Sequence, residues 1–390
     1  MALLHMAAGW CRSRGLRLLA ATVNHGLRPE AGAEAAWVAR ACAALGVPHR
    51  TVLWQGWNGQ GNLQDAARQA RLGLLSEWAG AERLEVVLLG HTADDQAETV
   101  LMRLARGSGV DGLCGMDAAY HGGVFLRPLL EVPRADLRDW LTARDLPWLD
   151  DPSNDNARFD RVKARHLLAA SGDLGLSVGR LTETADHMRR ARKTLWQAAA
   201  EFAKAHVRAE AGDLILEAAA LRLSRSDTEG RVLAAALQWI GSARYRPRYQ
   251  ALLDFAEGLQ RGETRTLGGV RAVSDGRGGA RLSREVSAAS GPVAVVTEPG
   301  ASTLWDGRWL LTPVGPPSGA FDPALTVAAL GEAGLSACPD WRATGLPRPS
   351  LLASPAVWLG GRLVAAPLAG FATGWQARLC LAFDRFIVSH

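Results

Sequence analysis

The sequence predicts an α/β fold with a doubly wound parallel sheet, followed by two smaller regions. Short apolar runs alternate with amphipathic helical stretches over about the first 150 residues, which is typical of βαβ crossovers. Polar residues follow two of the predicted strands directly, at His25 and at His91. Ligands bind at that end of the strands in open α/β sheets, so both histidines are candidate site residues.

The predicted elements follow one another from the first residues onward. A helical stripe starts at Leu3, and Gly and Pro clusters mark the ends of the later elements. The predicted strands are 16–23, 47–54 and 86–89, and the predicted helices are 34–45, 63–78, 134–144 and 161–170. A long connector helix is expected over 181–211, two more helices over 224–260 and a hairpin over 266–285.

Composition and turn residues divide the chain into three predicted domains. Residues 1–170 form the α/β domain, 171–286 a helical connector and substrate-binding domain, and 303–390 a small α+β domain. A Ser-, Gly- and Pro-rich stretch over 287–302 separates the last two.

Composition also excludes several classes of protein. No apolar run approaches the roughly 20 residues that a membrane span needs. The five cysteines form no Cys-x-x-Cys pair, which argues against a zinc ribbon, an iron–sulfur cluster or a disulfide framework and favours the cytoplasm. The net charge is +5, and only three of the 44 basic residues are lysines. The 41 arginines suit a partner such as RNA, although a GC-rich coding sequence explains them equally well.

The most informative segment is Gly90-His-Thr-Ala-Asp-Asp-Gln-Ala-Glu-Thr99, between a buried strand and a helix. Its apolar helix face carries Ala97, Val100, Leu101 and Leu104. Asp95 and Glu98 project from a second face, and His91 lies in the loop just before. These groups form either a functional site or the N-terminal cap of a helix, because Thr92 followed by Asp95 is also a capping signature.

Several motifs in this order resemble the tRNA(Ile)-lysidine synthetases, which belong to the N-type ATP pyrophosphatase (PP-loop) group. Besides 90–99, they are Asn24-His25-Gly26-Leu27-Arg28, Ala67-Arg68-x-Ala70-Arg71, Arg106-Gly-Ser-Gly109, Gly112-Leu-x-Gly-Met116, Arg127-Pro128-Leu129 and Asp150-Asp-Pro-Ser-Asn154, followed by Arg161 and Arg165. They cover about the first 170 residues. A later segment resembles the family more weakly, Thr266-Leu267-Gly268-Gly269-Val270-Arg271.

The resemblance implies an adenine nucleotide alpha hydrolase-like (HUP) fold and an ATP-dependent ligase. Such an enzyme would adenylate the wobble cytidine in the CAU anticodon of tRNA(Ile). The ε-amine of free L-lysine would then displace AMP, giving lysidine and changing the codon specificity from AUG to AUA. The implied cofactors are ATP and Mg²⁺, no membrane is involved, and a homodimer is compatible with the sequence.

The resemblance also implies roles for individual residues. The catalytic candidates are His91, Asp95, Glu98 and Arg71, with Asp95 also holding the metal. The ATP-binding candidates are His25, Arg28 and Asp94, and the tRNA-binding candidates are Arg161, Lys163 and Arg165. We expect Asp95 and Glu98 to be required for chemistry and not for folding. Without the motif set, the arginines of 68–71 and 161–165 are better explained as solvated helix faces, and His25 as a turn residue.

One element of the family pattern is missing from this sequence. The family's first strand ends in a Ser-Gly-Gly-x-Asp-Ser loop whose amides hold pyrophosphate, and Met1-Ala-Leu-Leu-His5 resembles the residues directly after that loop. Either the start codon was placed too late, or ATP binding was lost. We favour the first, because losing a central strand would cost roughly 5–9 kcal/mol of apolar burial. We then expect the 390-residue chain to be inactive and poorly soluble.

Two other functions are open at this point. A 2-thiocytidine-type tRNA-modifying enzyme shares the PP-loop fold but needs cysteines for sulfur transfer, which the cysteine pattern does not favour. A catalytically dead tRNA-binding protein would retain tRNA without ever modifying it.

Overall fold

A computed structural model describes residues 1–26, 29–55, 57, 63–120, 123–149, 160–223, 227–296, 301–314 and 324–389. Within these ranges the chain divides into two units, Met1–Arg192 and Lys193–His390. The division into three domains stays a prediction. None of the helices described combines the length and the apolar character needed to cross a membrane.

The first unit is α/β, and its helices and strands lie close to the predicted positions. In chain order they are α1 (Ala2–Arg14), β1 (Ala20–Asn24), α2 (Ala31–Ala44), β2 (His49–Leu53), α3 (Leu63–Ala81), β3 (Val87–Leu88), α4 (Ala93–Ala105), α5 (Val110–Leu113), β4 (Ala119–Tyr120), β5 (Phe125–Leu126), α6 (Arg134–Thr142), α7 (Asp160–Ala170) and the first part of α8 (Val178–His206).

The strands that the structure describes in this unit lie in two sheets, where the sequence predicts a single doubly wound sheet. β1 and β2 pair in parallel across the α2 crossover. β3 pairs in parallel with β5, and β4 is antiparallel to β5. One apolar cluster contains side chains of α3 together with Val87 and Phe125, and partly buried residues of β1 pack against it. Helix α3 thus packs against strands of both sheets.

The apolar face of α4 packs against α7 and the start of α8. Ala97, Val100 and Leu101 are buried in a cluster with residues of those two helices, namely Ala164, Leu181 and Ala185. Leu104 was predicted on the same face, but it is 56% exposed. The packed face therefore ends one turn before the helix does.

In its described residues, the second unit contains three antiparallel sheets and several helices. Its elements are the rest of α8, β6 (Val207–Glu210), β7 (Asp213–Leu216), α9 (Asp227–Gly241), α10 (Tyr249–Gln260), β8 (Thr264–Leu267), β9 (Val270–Ser274), β10 (Ala280–Arg284), β11 (Val293–Ala294), β12 (Thr303–Trp305), β13 (Trp309–Pro313), β14 (Leu325–Ala329), α11 (Gly331–Ser336), α12 (Arg348–Leu352), β15 (Pro355–Leu359), β16 (Arg362–Ala365), β17 (Trp375–Leu379) and α13 (Phe383–Val388). The strand orders are β6-β7-β10-β9-β8, β11-β14-β15-β16 and β12-β13-β17.

The helix predicted over 181–211 ends earlier, at His206, and a hairpin of β6 and β7 follows it. Ala211 and Gly212 both have positive φ, 48° and 89°, and form the tight turn between these strands. A Cβ atom at Gly212 would lie 2.5 Å from the Trp309 ring. Residues 207–210 continue the helical periodicity of α8, but they form β6 because they pair with β7.

Candidate active site

The acidic residues of the 90–99 segment lie in the first turns of α4. Thr92 is the N-cap, and its hydroxyl accepts a hydrogen bond from Asp95 N at 3.4 Å. Asp95 Oδ2 accepts hydrogen bonds from Thr92 N at 2.8 Å and from the Thr92 hydroxyl at 2.9 Å. This is a capping box, so the capping interpretation is confirmed. The cap uses only one of the two carboxylate oxygens.

The second oxygen of Asp95 faces two guanidinium groups. Asp95 Oδ1 lies 3.6 Å from Arg134 Nη2 and 3.8 Å from Arg161 Nη1. Burial acts to raise the pKa of Asp95, but the Thr92 hydrogen bonds and the charges of Arg161 and Arg134 bring this pKa below its ordinary value. The carboxylate is therefore ionised at neutral pH. Its side chain keeps 17% of its surface exposed, so a ligand can reach it.

Glu98 lies deeper and joins α4 to α7. Its side chain is 2% exposed, and Oε1 accepts a hydrogen bond from Arg165 Nε at 2.9 Å. The same oxygen lies 3.8 Å from Arg134 Nη2. Glu98 Oε2 is buried and has no hydrogen-bond partner in the part of the chain that the structure describes. The expectation that Glu98 is dispensable for folding needs correction, because a buried ion pair depends on it.

Four arginines lie close enough to affect one another or His91. Arg71, Arg127 and Arg161 act electrostatically on His91, and Arg68 acts on Arg71 and Arg127. We call these four arginines the arginine cluster. Burial lowers the pKa of Arg71, and the charges of Arg68, Arg161 and Arg127 lower it further. Arg71 Nε is buried without a hydrogen-bond partner among the described residues. The charged groups with the largest effects on Arg71 are thus all positive. A bound polyanion would relieve this repulsion.

His91 is neutral beside these cations. Its Nδ1 accepts a hydrogen bond from Arg127 Nε at 3.3 Å, so the imidazole proton belongs on Nε2. Burial lowers the pKa of His91 to about 4. The charge of Asp95 acts against this shift, and the charges of Arg127, Arg71 and Arg161 reinforce it. A group with so low a pKa is a weak general base at neutral pH. It can still donate a hydrogen bond through Nε2.

The low pKa of His91 predicts that stability falls in mild acid. An unfolded histidine titrates near pH 6.5, whereas folded His91 titrates at about 4. The unfolded state therefore binds more protons between these values, and the unfolding free energy falls as the pH drops from about 6.5 toward 4. We expect urea unfolding to show that the wild type loses about 1–3 kcal/mol of unfolding free energy between pH 7 and pH 4.5 because of His91. This contribution should be absent from His91→Gln.

An exposed histidine provides the control for that measurement. His187→Gln changes a side chain on the surface of α8, so this variant should lose stability in acid as the wild type does. Equal acid sensitivity of the wild type and His91→Gln would contradict the assignment of a neutral, buried His91.

His25 lies directly after β1, near Arg71. Its ring packs edge-on against Trp54, with centroids 5.5 Å apart, and its Nδ1 is buried without a described partner. Burial and the charge of Arg71 lower the pKa of His25. Arg28, predicted beside it, and the predicted motif 150–154 lie outside the described residues.

Two other predicted site residues, Asp94 and Lys163, have polar partners within the first unit. Asp94 Oδ2 accepts a hydrogen bond at 2.7 Å from the backbone N of Arg134, the first residue of α6, so Asp94 caps that helix. Lys163 is 62% exposed and lies 3.5 Å from Asp160. In the described ranges, no group of three or more His, Cys, Asp or Glu side chains could hold a metal ion.

Sequence reasoning missed the contacts that Arg134 and Gln96 make around α4. Arg134 bridges both carboxylates of α4. Gln96 is buried, donates to Met116 O at 2.9 Å and accepts from Met116 N at 2.6 Å. A Cβ atom at Gly115 would lie 2.5 Å from the Gln96 amide. The spacing of the Gly112–Met116 motif was the available signal that this loop packs tightly on α4.

Comparisons with known proteins identify the family of this chain. Residues 1–171 match the family model of the PP-loop domain. The tRNA(Ile)-lysidine synthase of Ruegeria pomeroyi is 46% identical over 392 aligned residues, which cover 100% of this chain and 90% of that relative. The chain belongs to the tRNA(Ile)-lysidine synthase family. The family assignment made from the sequence motifs is thus confirmed.

Two further tRNA(Ile)-lysidine synthases are similar to this chain. That of Rhizobium meliloti is 36% identical over 341 residues, covering 84% of this chain and 71% of the relative. That of Methylobacterium nodulans is 42% identical over 242 residues, covering 61% of this chain and 71% of the relative. Among solved structures, the U34-tRNA thiolase NcsA from Methanococcus maripaludis has a TM-score of 0.41 at 17% identity, covering 48% of this chain and 68% of the other.

Proposed function

We propose that this chain joins L-lysine to the wobble cytidine in the CAU anticodon of tRNA(Ile), with ATP as the activating substrate, in the cytoplasm. Its family membership supports the choice of reaction. The observation that carries the chemistry is the meeting of the arginine cluster with the ionised carboxylate of Asp95. A cationic site for phosphates beside an anionic site for an amine is what such a ligation needs.

The arginine cluster would bind the phosphates of ATP. The charged groups with the largest effects on Arg71 are cations, and its Nε has no hydrogen-bond partner among the described residues. A bound phosphate would give Arg71 both a counter-charge and a hydrogen-bond acceptor. Guanidinium groups already held in place stabilise the charge that develops as pyrophosphate leaves ATP and the adenylated cytidine forms. Mg²⁺ would neutralise further phosphate charge. Such an ion is usually held by one or two carboxylates and by phosphate oxygens, and Asp95 Oδ1 can supply one ligand.

The carboxylates of α4 would serve the second half of the reaction. Asp95 would attract and orient the ammonium group of lysine. Once this group has lost a proton to solvent, its nitrogen would bond to the base as the bond from the base to AMP breaks. His91 would donate a hydrogen bond from Nε2 to a phosphate or to the adenylated cytidine. Glu98 is a positioning residue on this proposal, because its burial leaves it in contact with Arg165 and Arg134 and keeps it from substrate.

The proposal is tested by transfer of labelled lysine to a tRNA(Ile) transcript. The protein is purified with a C-terminal tag from cells that make it from its own chromosomal gene. We expect ATP-dependent incorporation of lysine with release of AMP. A transcript with uridine at the wobble position is the matched control and should accept no lysine. Release of AMP without incorporation, or equal incorporation into both transcripts, would contradict the proposed reaction.

Lys163 is the described residue of the predicted tRNA-binding set best placed to contact phosphate. We expect Lys163→Ala to reduce the salt dependence of tRNA binding by about one unit in a plot of log Kd against log salt. Lys204→Ala is the control, because Lys204 is equally exposed, 62%, and is also paired with an acidic residue three positions away. An unchanged slope in Lys163→Ala, or equal changes in both variants, would exclude Lys163 from the interface.

A further inference from the structure

The connection between α9 and α10 combines exposed tyrosines with arginines. Residues 242–250 contain three arginines and no acidic residue. Tyr245 is 66% exposed and Tyr249 is 54% exposed. The guanidinium of Arg244 lies over the Tyr245 ring, with Cζ 5.6 Å from the ring centroid. Exposed aromatic rings among cations are typical of surfaces that bind single-stranded nucleic acid.

An apolar cavity of about 250 Å³ lies beside Tyr245. Its walls include Leu237 of α9, Ala251 of α10 and Leu267 of β8, and Tyr245 and Arg248 also line it. The volume is below the range of about 300–1,000 Å³ that is typical of pockets for drug-sized ligands. The cavity therefore suits one planar heterocycle better than a whole nucleotide or a peptide segment.

The Gly-Gly turn of the Thr266–Arg271 motif forms part of this cavity. Gly268 and Gly269 have φ of 60° and 73° and connect β8 to β9, as glycines do in two-residue hairpin turns. A Cβ atom on Gly268 would meet nothing within 4 Å, so the turn leaves space open. A Cβ atom on Gly241 would lie 2.5 Å from Gly268 O, so the end of α9 and the turn are in close contact.

We propose that this cavity binds one unpaired base of the RNA substrate, stacked against Tyr245, with the flanking phosphates near Arg246 and Arg248. The inference rests on the proposed function and adds a tRNA contact in the second unit. Apolar walls suit the face of a base and not a free phosphate. The three arginines favour a polyanion over an apolar peptide. Because every base has a face that can stack, we expect selection for an unpaired base and not for a sequence.

Affinity for tRNA tests the stacking contact. With the protein made from its own gene and a tRNA(Ile) transcript with a CAU anticodon, Tyr245→Ala should bind about 5- to 150-fold more weakly, the loss expected for one stacked base. Tyr245→Phe keeps the ring and should bind as the wild type does. Trp10→Ala is the matched control, because Trp10 is also exposed, 53%, and lies under the guanidinium of Arg14. It should leave the affinity unchanged.

Ultraviolet crosslinking with peptide mapping locates the contact directly. We expect tRNA to crosslink within residues 242–249, and the crosslink to disappear in Tyr245→Ala while the melting temperature stays that of the wild type. Three results would overturn the inference and leave the proposed function standing. Tyr245→Ala could bind tRNA as the wild type does, or Tyr245→Phe and Trp10→Ala could lose as much affinity as Tyr245→Ala. The third such result is a set of crosslinks confined to other segments. A wild-type protein that binds no tRNA would overturn both.

Discussion

Asp95→Asn is expected to lower the rate of lysidine formation by roughly 100-fold or more and to leave the protein folded. Asparagine keeps an oxygen that can accept the hydrogen bonds from Thr92 N and the Thr92 hydroxyl, so the capping box survives. The variant loses the negative charge that lies 3.6 and 3.8 Å from Arg134 and Arg161. Removing one preorganised polar group from an active site typically costs about 10²–10³ in rate. Lysine incorporation and thermal melting of the same preparation measure the two effects.

The neighbouring cap residue supplies the converse variant. Thr92→Ala removes the capping hydroxyl but keeps the charge of Asp95, so it should cost about 0.5–2 kcal/mol of stability and retain turnover per folded molecule. Asp95→Asn and Thr92→Ala thus separate charge from capping. Near-normal lysidine formation by Asp95→Asn would mean that Asp95 serves as a helix cap and not as a site residue.

Arg165→Ala is expected to reduce the free energy of unfolding by about 3–5 kcal/mol, because it leaves a buried carboxylate without its hydrogen-bonded partner. Glu98 is 2% exposed on its side chain, and its second cation, Arg134, lies 3.8 Å away, farther than Arg165. Replacing the carboxylate by a neutral amide in the double variant Arg165→Ala, Glu98→Gln should recover much of this loss. Urea unfolding of the two single variants and the double variant measures the coupling.

A surface lysine on the same helix provides the reference for that experiment. Lys163→Ala removes an exposed partner of Asp160 and should change the unfolding free energy by less than about 0.5 kcal/mol. If Arg165→Ala costs no more than Lys163→Ala, the ion pair with Glu98 does not hold α4 and α7 together. Loss of tRNA binding by Arg165→Ala would then be evidence for the tRNA contact predicted from the sequence.

The sequence predicted the local structure around α4 well, because that structure depends on nearby residues. The strand before His91, the cap at Thr92 and the polar face with Asp95 follow from periodicity and capping over some ten residues. Nothing in the periodicity shows which helix packs on that face. Arg165 meets Glu98 across 67 positions of the chain, and only tertiary packing brings them together.

The remaining differences from the sequence predictions also arise where tertiary contacts, and not nearby residues, decide the structure. The helix expected over 181–211 ends at His206 because β6 pairs with β7, a pairing that helical periodicity does not register. Arg134 begins α6, and the sequence gives no sign that this helix end lies against Asp94 and Asp95. The predicted roles of His25, Arg28 and Asp94 toward ATP stay predictions, and so does the catalytic role of Arg71.

The central claim is tested most directly by the wobble nucleoside of tRNA(Ile) in the cells that encode this protein. The tRNA is isolated before and after depletion of the chromosomal gene product, and its nucleosides are analysed by mass spectrometry. The account predicts that lysidine is replaced by cytidine as the protein disappears, and that a restored wild-type copy, but not an Asp95→Asn copy, brings lysidine back. Lysidine that persists undiminished in newly made tRNA after depletion would contradict it.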